Sequence, residues 1–381
     1  VVPLGDISGV KMCKRILSYQ TSKRGDIPFF KIGTFGGEAD AYISFDLYNE
    51  FRSKFSFPTE GDVLISAAGT LGKTVVFDGR PAYFQDSNIV WLNVDKLKLL
   101  NEYLYHYYRH IKWGSSEGST ISRLYNGIIK ASLIALPSIQ EQTAIADALS
   151  DVDALIGEQE KLMAKKQAIK TATMQQLLTG KTRLPQFAHH PDGTPKTTKQ
   201  TELGPIPEDW EVVALGGLTE KVVGGGTPSR NNPVYWGNEI PWVTVKDFAT
   251  FNPYVSQESI SRIGLKNSAS NLIPKGTLVT STRMALGKAV IYDVDIAINQ
   301  DMKAIFPSVR LKTNFLYYWF EFNAAKINEL GSGSTVKGLS LNDLRAMQFL
   351  LPDLQEQTAI AQILSDMDSE IQTLEQRLNK T

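Results

Sequence analysis

The sequence has 381 residues, a length that allows two or three domains and supports a large buried core. Hydrophobic residues make up 42% and charged residues 21% of the chain, values that exclude wholesale disorder and fibrous repeats. Lys and Arg together number 40, as do Asp and Glu, so a nucleic-acid partner would have to meet a local basic surface.

The cellular compartment of the protein is indicated by its single cysteine and by the lack of an apolar segment long enough to cross a membrane. The single cysteine, Cys13, cannot form an internal disulfide, which is typical of a reducing environment. No apolar run reaches the roughly 18 residues that would span a bilayer. The chain opens Val1-Val2-Pro3 without a charged and apolar leader. We therefore expect a cytoplasmic protein that has no membrane partner.

In chain order, the first 135 or so residues predict an α/β segment that is followed by a long helix. Short runs such as VLISA, TVVFD and NIVWLNV indicate strands, and one helix is predicted over 101–111. The long helix opens with a capping box, Ser138 with Glu141, and ends at the glycine C-cap Gly180. At about 38 residues it would be roughly 57 Å long. Its apolar residues alternate spacings of four and three, as in a coiled-coil seam: Ile145, Leu149, Val152, Ile156 and Met163.

The second half of the chain predicts the same order of elements. Residues 181–208 carry five prolines and many Thr and Gly residues, which indicates a linker. Runs such as TLVTS and AVIYD then indicate strands, and a helix is predicted over 314–330. A capping box of Asp353 and Glu356 opens the last helix. Its seam continues to the end of the chain: Ile360, Leu364, Met367, Ile371, Leu374 and Leu378.

The two halves are copies of each other. LPSIQEQTAIADALSDVDALI, at 136–156, recurs at 351–371 as LPDLQEQTAIAQILSDMDSEI, with 14 of 21 positions identical at an offset of 215. The same offset aligns the two Leu-Gly-Lys turns, which end in Lys73 and Lys288, and the two Gly-Ser-Thr turns. Two copies with a long period indicate a tandem duplication of a domain and its helix, not a solenoid.

These motifs resemble a known family. Two α/β domains, each followed by the pattern P-x-x-Q-E-Q-x-x-I-A-x-x-L-S-D-x-D-x-x-I, are similar to the specificity subunit of type I restriction-modification enzymes. The run GGGTPS at 224–229, followed by Tyr235-Trp236 and Ile240-Pro241-Trp242, also resembles the target-recognition domains of that family. The resemblance implies a non-catalytic reader of double-stranded DNA that docks two methyltransferase subunits and, through them, restriction subunits. S-adenosylmethionine, ATP and Mg²⁺ are then expected on the partners, with no cofactor in this chain.

The fold class expected is α/β, with two target-recognition domains in a tandem pseudo-repeat and two helices paired as an antiparallel coiled coil. We expect recognition domains over 1–136 and 210–351, spacer helices over 137–180 and 352–381, and a linker over 181–209. Residues 61–74 and 276–289 keep only 5 of 14 identities, so the tips diverge while the helices are preserved. The DNA target would therefore be bipartite and asymmetric, because identical readers would bind a palindrome.

Candidate DNA contacts follow from the rule that phosphate contacts position a protein and base contacts specify the sequence. Residues shared by the copies are expected on the backbone: Lys73, Lys288, Thr120 and Thr335. Arg283, which aligns with Ala68, is a candidate reader of guanine in the major groove. Arg123 and Lys337 flank the Gly-Ser-Thr turns and fit either role. Each of these basic residues is also typical of ordinary solvent-exposed surface with no role in DNA binding. The Leu-Gly-Lys sequence is also typical of a simple hairpin turn with an exposed lysine.

Candidate contacts with protein partners lie on the helices. They are Gln140, Gln142, Gln355, Gln357, Leu155 and Leu162. Leu155 and Leu162 also fit the seam of the coiled coil. The six basic residues between Lys161 and Arg183 fit either a solvated helix face or a surface that contacts a partner or DNA.

Enzyme signatures are incomplete, and no catalytic or metal-binding residue is predicted. AAGTLGKT at 67–74 misses the first glycine of a phosphate-binding loop and leads into a strand. Asn232-Pro233-Val234-Tyr235 only partly matches a methyltransferase motif. Glu102, His106 and His110 share a helix face that fits packing better than a metal site. Asp86 and Asp301 fit turn capping or the orientation of a basic neighbour. The alternatives are a methyltransferase or nuclease with duplicated reader domains and a cryptic active site, and a coiled-coil scaffold.

Overall fold

The computed structural model describes residues 1–113, 123–332 and 338–380. The chain divides into two compact units, Val1–Gly157 and Glu158–Thr381, which we call unit 1 and unit 2. Both units are mixed α/β, as predicted. The boundary between them falls within one long helix.

Unit 1 is built from short strands and three short helices that precede the long one. Its strands are β1 (Val2–Pro3), β2 (Ser8–Met12), β3 (Ile27–Phe30), β4 (Tyr42–Ile43), β5 (Val63–Ser66), β6 (Thr74–Val76), β7 (Tyr83–Phe84), β8 (Ile89–Val94) and β9 (Leu133–Ile134). Its helices are α1 (Phe45–Lys54), α2 (Asn101–His110), α3 (Asn126–Ala131) and the first part of α4 (Ile139–Leu177).

The main sheet of unit 1 has the strand order β2-β8-β5-β6 and is antiparallel throughout. A smaller sheet, β4-β3-β7, contains one parallel pair, β3 with β7. Successive side chains of a strand point to opposite faces. Leu64 of β5 therefore packs into one apolar cluster, while Val63 and Ile65 pack into another. Burial on both faces explains why β5 is a continuous apolar run in the sequence.

Unit 2 contains the remaining elements. Its strands are β10 (Thr198–Thr201), β11 (Gly204–Pro207), β12 (Glu211–Ala214), β13 (Thr219–Gly224), β14 (Trp236–Val243), β15 (Glu258–Ile260), β16 (Leu272–Ile273), β17 (Leu278–Ser281), β18 (Ala289–Ile291), β19 (Ile296–Ile298), β20 (Met302–Pro307) and β21 (Gln348–Leu351). Its helices are α5 (Arg262–Lys266), α6 (Thr313–Leu330), α7 (Leu341–Ala346) and α8 (Leu354–Leu378).

The sheets of unit 2 repeat those of unit 1. The antiparallel order β13-β20-β17-β18 corresponds to β2-β8-β5-β6. The order β15-β14-β19-β16 again contains one parallel pair, β14 with β19, which corresponds to β3 with β7. The pair β12–β21 corresponds to β1–β9. The duplication predicted from the sequence is thus confirmed in the strand order.

The two long helices pair within unit 2. Lys166 of α4 is bound to Glu370 of α8, and Lys170 is bound to Asp368, so the numbering rises on one helix as it falls on the other. Met174, Leu177 and Leu178 lie in the same apolar cluster as α6 and α8. The antiparallel pairing of the helices is therefore confirmed.

The segment expected to be a linker is ordered against unit 2. Residues 198–207 form the hairpin β10–β11, and Ile206 is buried in the unit 2 core beside Trp210, the residue that follows the segment. Arg183 binds both Asp209 and Glu356. Proline and polar composition suggested an open chain, but burial of a few apolar residues and this ion-pair network hold the segment in place.

The helix caps are predicted correctly for one copy and half correctly for the other. At the start of α4, Ser138 and Glu141 bond each other's backbone N–H groups, as a capping box requires. At α8 the Asp353 side chain caps the helix, but Glu356 instead accepts hydrogen bonds from Arg183 and Trp210. Among the described helices, none is both long and apolar enough to cross a membrane.

Candidate nucleic-acid interface

Each unit has one hairpin that carries part of the set predicted to touch DNA, namely Lys73 in unit 1 and Arg283 and Lys288 in unit 2. In unit 1 the antiparallel strands β5 and β6 are joined by residues 67–73, and in unit 2 β17 and β18 are joined by residues 282–288. We call these segments the tip loops. As predicted, the sequence that resembles a phosphate-binding loop leads into strand β6 and not into a helix.

The tip loop of unit 1 is held by its glycines and by Ser66. Gly72 has φ +76°, and a Cβ added there would overlap Trp113. The Ser66 hydroxyl accepts a hydrogen bond from Lys73 N and donates one to Thr70 O. This local network fixes the backbone while Gly69 and Thr70 remain exposed. The loop is therefore a rigid turn that presents its outer residues to solvent.

Lys73 and Lys288 occupy equivalent positions but have different surroundings. Lys73 donates a hydrogen bond from Nζ to Phe35 O at 2.5 Å, so one of its three donors is already used. Lys288 is exposed, and no side-chain hydrogen bond or ion pair engages it among the described residues. Both ammonium groups retain donors, which is what a phosphate anchor requires.

Each unit contains one backbone bridge between its tip loop and a later segment, and the two arginines nominated from the sequence lie on opposite sides of these equivalent bridges. Ala68 is bridged to Arg123 in unit 1, and Arg283 is bridged to Gly338 in unit 2. Both pairs obey the offset of 215. Each unit therefore has one arginine at this bridge, on the tip loop in unit 2 and on the opposing segment in unit 1. Sequence alignment alone did not reveal this exchange, because the bridge joins distant parts of the chain.

The surroundings of the two arginines also differ. The Arg123 guanidinium donates to Ser87 Oγ at 3.1 Å and to Asn88 Oδ1 at 3.2 Å, so it braces the turn before β8. The Arg283 side chain is 59% exposed, and its Nη1 lies 3.7 Å from Asp301 Oδ1. Asp301 therefore orients the Arg283 guanidinium, which keeps hydrogen-bond donors free. The Nη2 group of Arg123 is instead engaged by Ser87 and Asn88 within unit 1.

Asp86 and Asp301 are 215 residues apart, the offset of the repeat, but they are not structural equivalents. Ala67 N donates to Asn88 O, and its counterpart Thr282 N donates to Asp301 O, so Asn88 occupies the position of Asp301. Asp86 instead forms an ion pair with Arg15 at 2.8 Å. The expectation that these carboxylates orient basic neighbours is confirmed for both. Three further candidates, Thr120, Thr335 and Lys337, lie outside the described residues.

The glutamines nominated as partner contacts divide into two kinds. Gln142 and Gln357 are fully buried. Gln142 accepts a hydrogen bond from Leu100 N and donates to Lys98 O and Pro137 O. Gln357 makes the equivalent bonds to Lys312 N and Arg310 O, before α6, and to Pro352 O, before α8. Because their polar atoms are satisfied inside their own units, we retain only the exposed Gln140 and Gln355 as candidate contacts.

Apolar residues of α4 are exposed where their counterparts in α8 are buried. Ile145 and Leu149 are 40% and 36% exposed, whereas Ile360 and Leu364 are 1% and 0% exposed. Leu155 and Leu162 are also exposed. Exposed apolar residues in a regular helical pattern are typical of a surface that receives another helix.

The basic residues between Lys161 and Arg183 are mostly used within the chain. Lys161 pairs with Glu158, Lys166 with Glu370, and Lys170 with both Glu321 and Asp368. Arg183 binds Asp209 and Glu356. This region therefore has far less free positive charge than its sequence suggested.

The remaining enzyme-like residues have structural partners. His106 is buried, and its Nε2 lies 3.0 Å from Ser150 Oγ, while burial lowers the pKa of its imidazole. Asn232 caps the short turn that follows it through Val234 N. No group of three or more His, Cys, Asp or Glu residues with the geometry for a metal ion occurs in the part of the chain that the structure describes.

Comparison with known proteins gives the same result for both halves. The family model described as "Type I restriction modification DNA specificity domain" matches residues 1–170 and 207–381. A Haemophilus influenzae protein described as a type I restriction enzyme specificity subunit is 54% identical over 155 residues, which are 41% of this chain and 40% of that protein. The MjaX specificity subunit of Methanocaldococcus jannaschii is 28% identical over 325 residues, which are 82% of this chain and 72% of that protein.

The fold is also similar to a solved structure. The crystal structure of a type I restriction-modification S subunit from M. genitalium matches with a TM-score of 0.60 and 14% sequence identity. The match covers 99% of this chain and 91% of that one. At this level of identity the likeness concerns the fold alone.

Proposed function

Because the chain belongs to the family of type I restriction-modification DNA specificity domains, we propose that it reads a two-part DNA target and carries no reaction centre of its own. Unit 1 and unit 2 each read one half of the target, and the two halves differ in sequence. The protein acts on double-stranded DNA in the cytoplasm.

One observation carries this proposal: the same sheet arrangement occurs twice and presents two different tip loops. The helical motifs keep 14 of 21 residues, whereas the tip regions keep 5 of 14. Strong conservation of the frame together with divergence at the exposed loops is expected for two readers of different sequences. The arginine exchange at the bridge supports this, because the Arg283 guanidinium is exposed beside Asp301, whereas Arg123 already donates hydrogen bonds to Ser87 and Asn88.

The proposed partners are two methyltransferase subunits and, through them, restriction subunits. The exposed apolar residues of α4, including Leu155 and Leu162, support docking of a partner helix. Gln140 and Gln355 lie exposed in the first turns of α4 and α8 and are proposed to contribute hydrogen bonds. The partners would supply S-adenosylmethionine, ATP and Mg²⁺ chemistry.

The decisive experiment is co-expression with the methyltransferase subunit, followed by mapping of methylated adenines across the host genome. The proposal predicts one asymmetric motif with two specified parts separated by an unspecified gap. Methylation at a palindrome, or at a motif with only one specified part, would contradict it. A matched control exchanges residues 282–288 for residues 67–73, which should change only one half of the motif.

A second experiment separates this function from the alternative of a cryptic enzyme. The isolated chain is titrated with S-adenosylmethionine in a calorimeter and is incubated with DNA. We expect neither uptake of the methyl donor nor modification or cleavage of the DNA. Micromolar uptake by the chain alone would favour a methyltransferase with duplicated reader domains.

A further inference from the structure

The tip loop of unit 2 contains a backbone conformation that its sequence does not favour. Met284 has φ +56° and Ala285 has φ +24°. The unit 1 counterpart of Met284 is Gly69, which has φ +66° and no side chain to clash. A left-handed backbone is unfavourable for an L-residue, so at this position unit 2 accepts a strain that unit 1 avoids.

The strain is maintained by contacts on both sides of Met284. On one side, Arg283 N donates to Ser281 Oγ at 3.2 Å, and Arg283 is bridged to Gly338. On the other side Leu286 is buried, and Gly287 packs so closely against Ala324 that a Cβ would overlap it. These anchors leave the conformation of Met284 fixed.

The side chain of Met284 contributes little to folding. It is 48% exposed, although the neighbouring Leu286 is only 5% exposed. Glycine at this position would relieve the backbone strain at the cost of a side chain that is only half-buried. Residues that keep a strained backbone without stabilising the fold are found mainly at functional sites. The side chain is therefore available for a contact outside the chain.

The neighbouring residue indicates the kind of contact. Arg283 is also exposed, and it is the candidate guanine reader of this tip loop. The major groove presents one apolar feature to a side chain, the C5-methyl group of thymine. Methionine is flexible and polarizable, so it adapts readily to a small apolar group.

We propose that Met284 contacts the methyl group of a thymine next to the base read by Arg283, and so helps to set the sequence preference of unit 2. This inference rests on the proposed function, since it requires that the tip loop faces the major groove. It adds a specificity residue that has no counterpart in unit 1, where Gly69 offers no side chain.

The test uses the complex with its methyltransferase subunit and the duplex motif found by methylation mapping. Each thymine of the motif is replaced in turn by deoxyuridine, which removes only the methyl group. At one position in the half-site read by unit 2, the wild-type complex should bind about fourfold more weakly, as expected for one buried methyl-sized group. The Met284→Gly complex should not distinguish thymine from deoxyuridine there.

Two controls separate recognition from folding. The melting temperature of Met284→Gly should be no lower than that of the wild type, because glycine relieves the left-handed backbone. Val309→Ala, at a residue that is 92% exposed, should keep the full response to deoxyuridine.

Several results would overturn the inference while the proposed function survives. They are a wild-type complex that ignores deoxyuridine throughout that half-site, a Met284→Gly complex that keeps the full response, and a half-site that contains no thymine. Unstacking of a base step by Met284, detected by 2-aminopurine fluorescence, would also overturn it, because it indicates a wedge between bases. Failure of the proposed function is distinct, since the wild-type complex would then methylate no two-part motif.

Discussion

The ammonium group of Lys170 lies 2.6 Å from the carboxylate of Asp368 and joins α4 to α8 inside unit 2. The same Nζ atom is also 2.6 Å from Glu321 of α6, and the Lys170 side chain is only 4% exposed. The first-copy counterpart of Asp368 is Asp153, which binds Arg109 of α2. One acidic position of the repeated helix is thus used in both copies, with a different cation in each.

Replacement of Lys170 by methionine should destabilise unit 2 strongly. The change leaves two carboxylates beside an apolar side chain, and Glu321 Oε2 already lacks a partner among the described residues. We expect a loss of about 3 kcal/mol, near the lower end for breaking a buried ion pair because the carboxylates are partly exposed. Urea denaturation measures it. Lys166→Met is the control, and its more exposed pair should contribute at most about 1 kcal/mol. Equal effects of both variants would contradict this prediction.

Gly72→Ala should destabilise unit 1 more than Gly69→Ala. Both residues have a positive φ, which costs alanine about 1 kcal/mol or more in each case. Only at Gly72 would the new Cβ overlap the Trp113 side chain, whereas Ile32 is at an ordinary contact distance from Gly69. Thermal unfolding followed by circular dichroism compares the two variants. A Gly69→Ala variant with the lower melting temperature would refute the argument.

Lys73→Ala and Lys288→Ala should each weaken DNA binding for all sequences. If each lysine neutralises one phosphate, each variant should lower the slope of log K against log salt concentration by about one. The slope is measured by fluorescence anisotropy over a series of salt concentrations. Lys96→Ala, at an exposed residue that follows β8, serves as the control and should leave the slope unchanged. An unchanged slope for Lys288→Ala would remove that residue from the phosphate contacts.

Arg283→Ala should relax the sequence preference of one half-site only. A bidentate contact between arginine and guanine discriminates by about 1–3 kcal/mol, so one base position should become tolerant. Genome-wide methylation mapping of the variant complex measures this directly. Equal loss of preference in both half-sites would instead indicate a general role in binding or folding.

Asp209 should contribute to stability in a manner that depends on pH. Partial burial would raise the pKa of Asp209, but hydrogen bonds from Arg183 and Lys196 outweigh this and hold the pKa at about 2. A carboxyl whose pKa is lower in the folded state than in the unfolded state stabilises the fold above its unfolded pKa of about 3.9. This contribution is fully present above about pH 5 and is lost as the pH falls through about 4 towards 2.

The comparison of wild type with Asp209→Asn measures this effect. The difference in melting temperature should be constant from pH 5 to 7 and should shrink below pH 4. Glu202→Gln, at an exposed residue of the same segment, controls for general acid effects. A difference that grows as the pH falls would show that the sign is wrong.

Four helices were predicted from the sequence with boundaries close to those observed, whereas α1, α3, α5 and α7 were not predicted. The first helix after the strands was expected at 101–111 and lies at Asn101–His110, and its counterpart was expected at 314–330 and lies at Thr313–Leu330. Caps, spacing of apolar residues and the glycine stop are local signals. Local signals are readable in one sequence because they depend on neighbouring residues.

The candidate site was predicted only in part. Lys73, Arg283 and Lys288 lie on the tip loops as expected, but Arg123 is committed to Ser87 and Asn88. Met284 was overlooked, since an exposed methionine has no signature until its φ is known. These properties depend on which distant segments meet, and a single sequence does not contain that information.

A tandem duplication leaves identical residues at a fixed offset, so the repeat of one domain and its helix is readable from the sequence alone. Which of the shared residues face outward depends instead on the folded chain. Gln142 and Gln357 belong to the motif kept in both copies, yet they are buried and bonded within their own units. Burial depends on packing between elements that are far apart in the chain, whereas repetition and periodicity depend only on the order of residues along it.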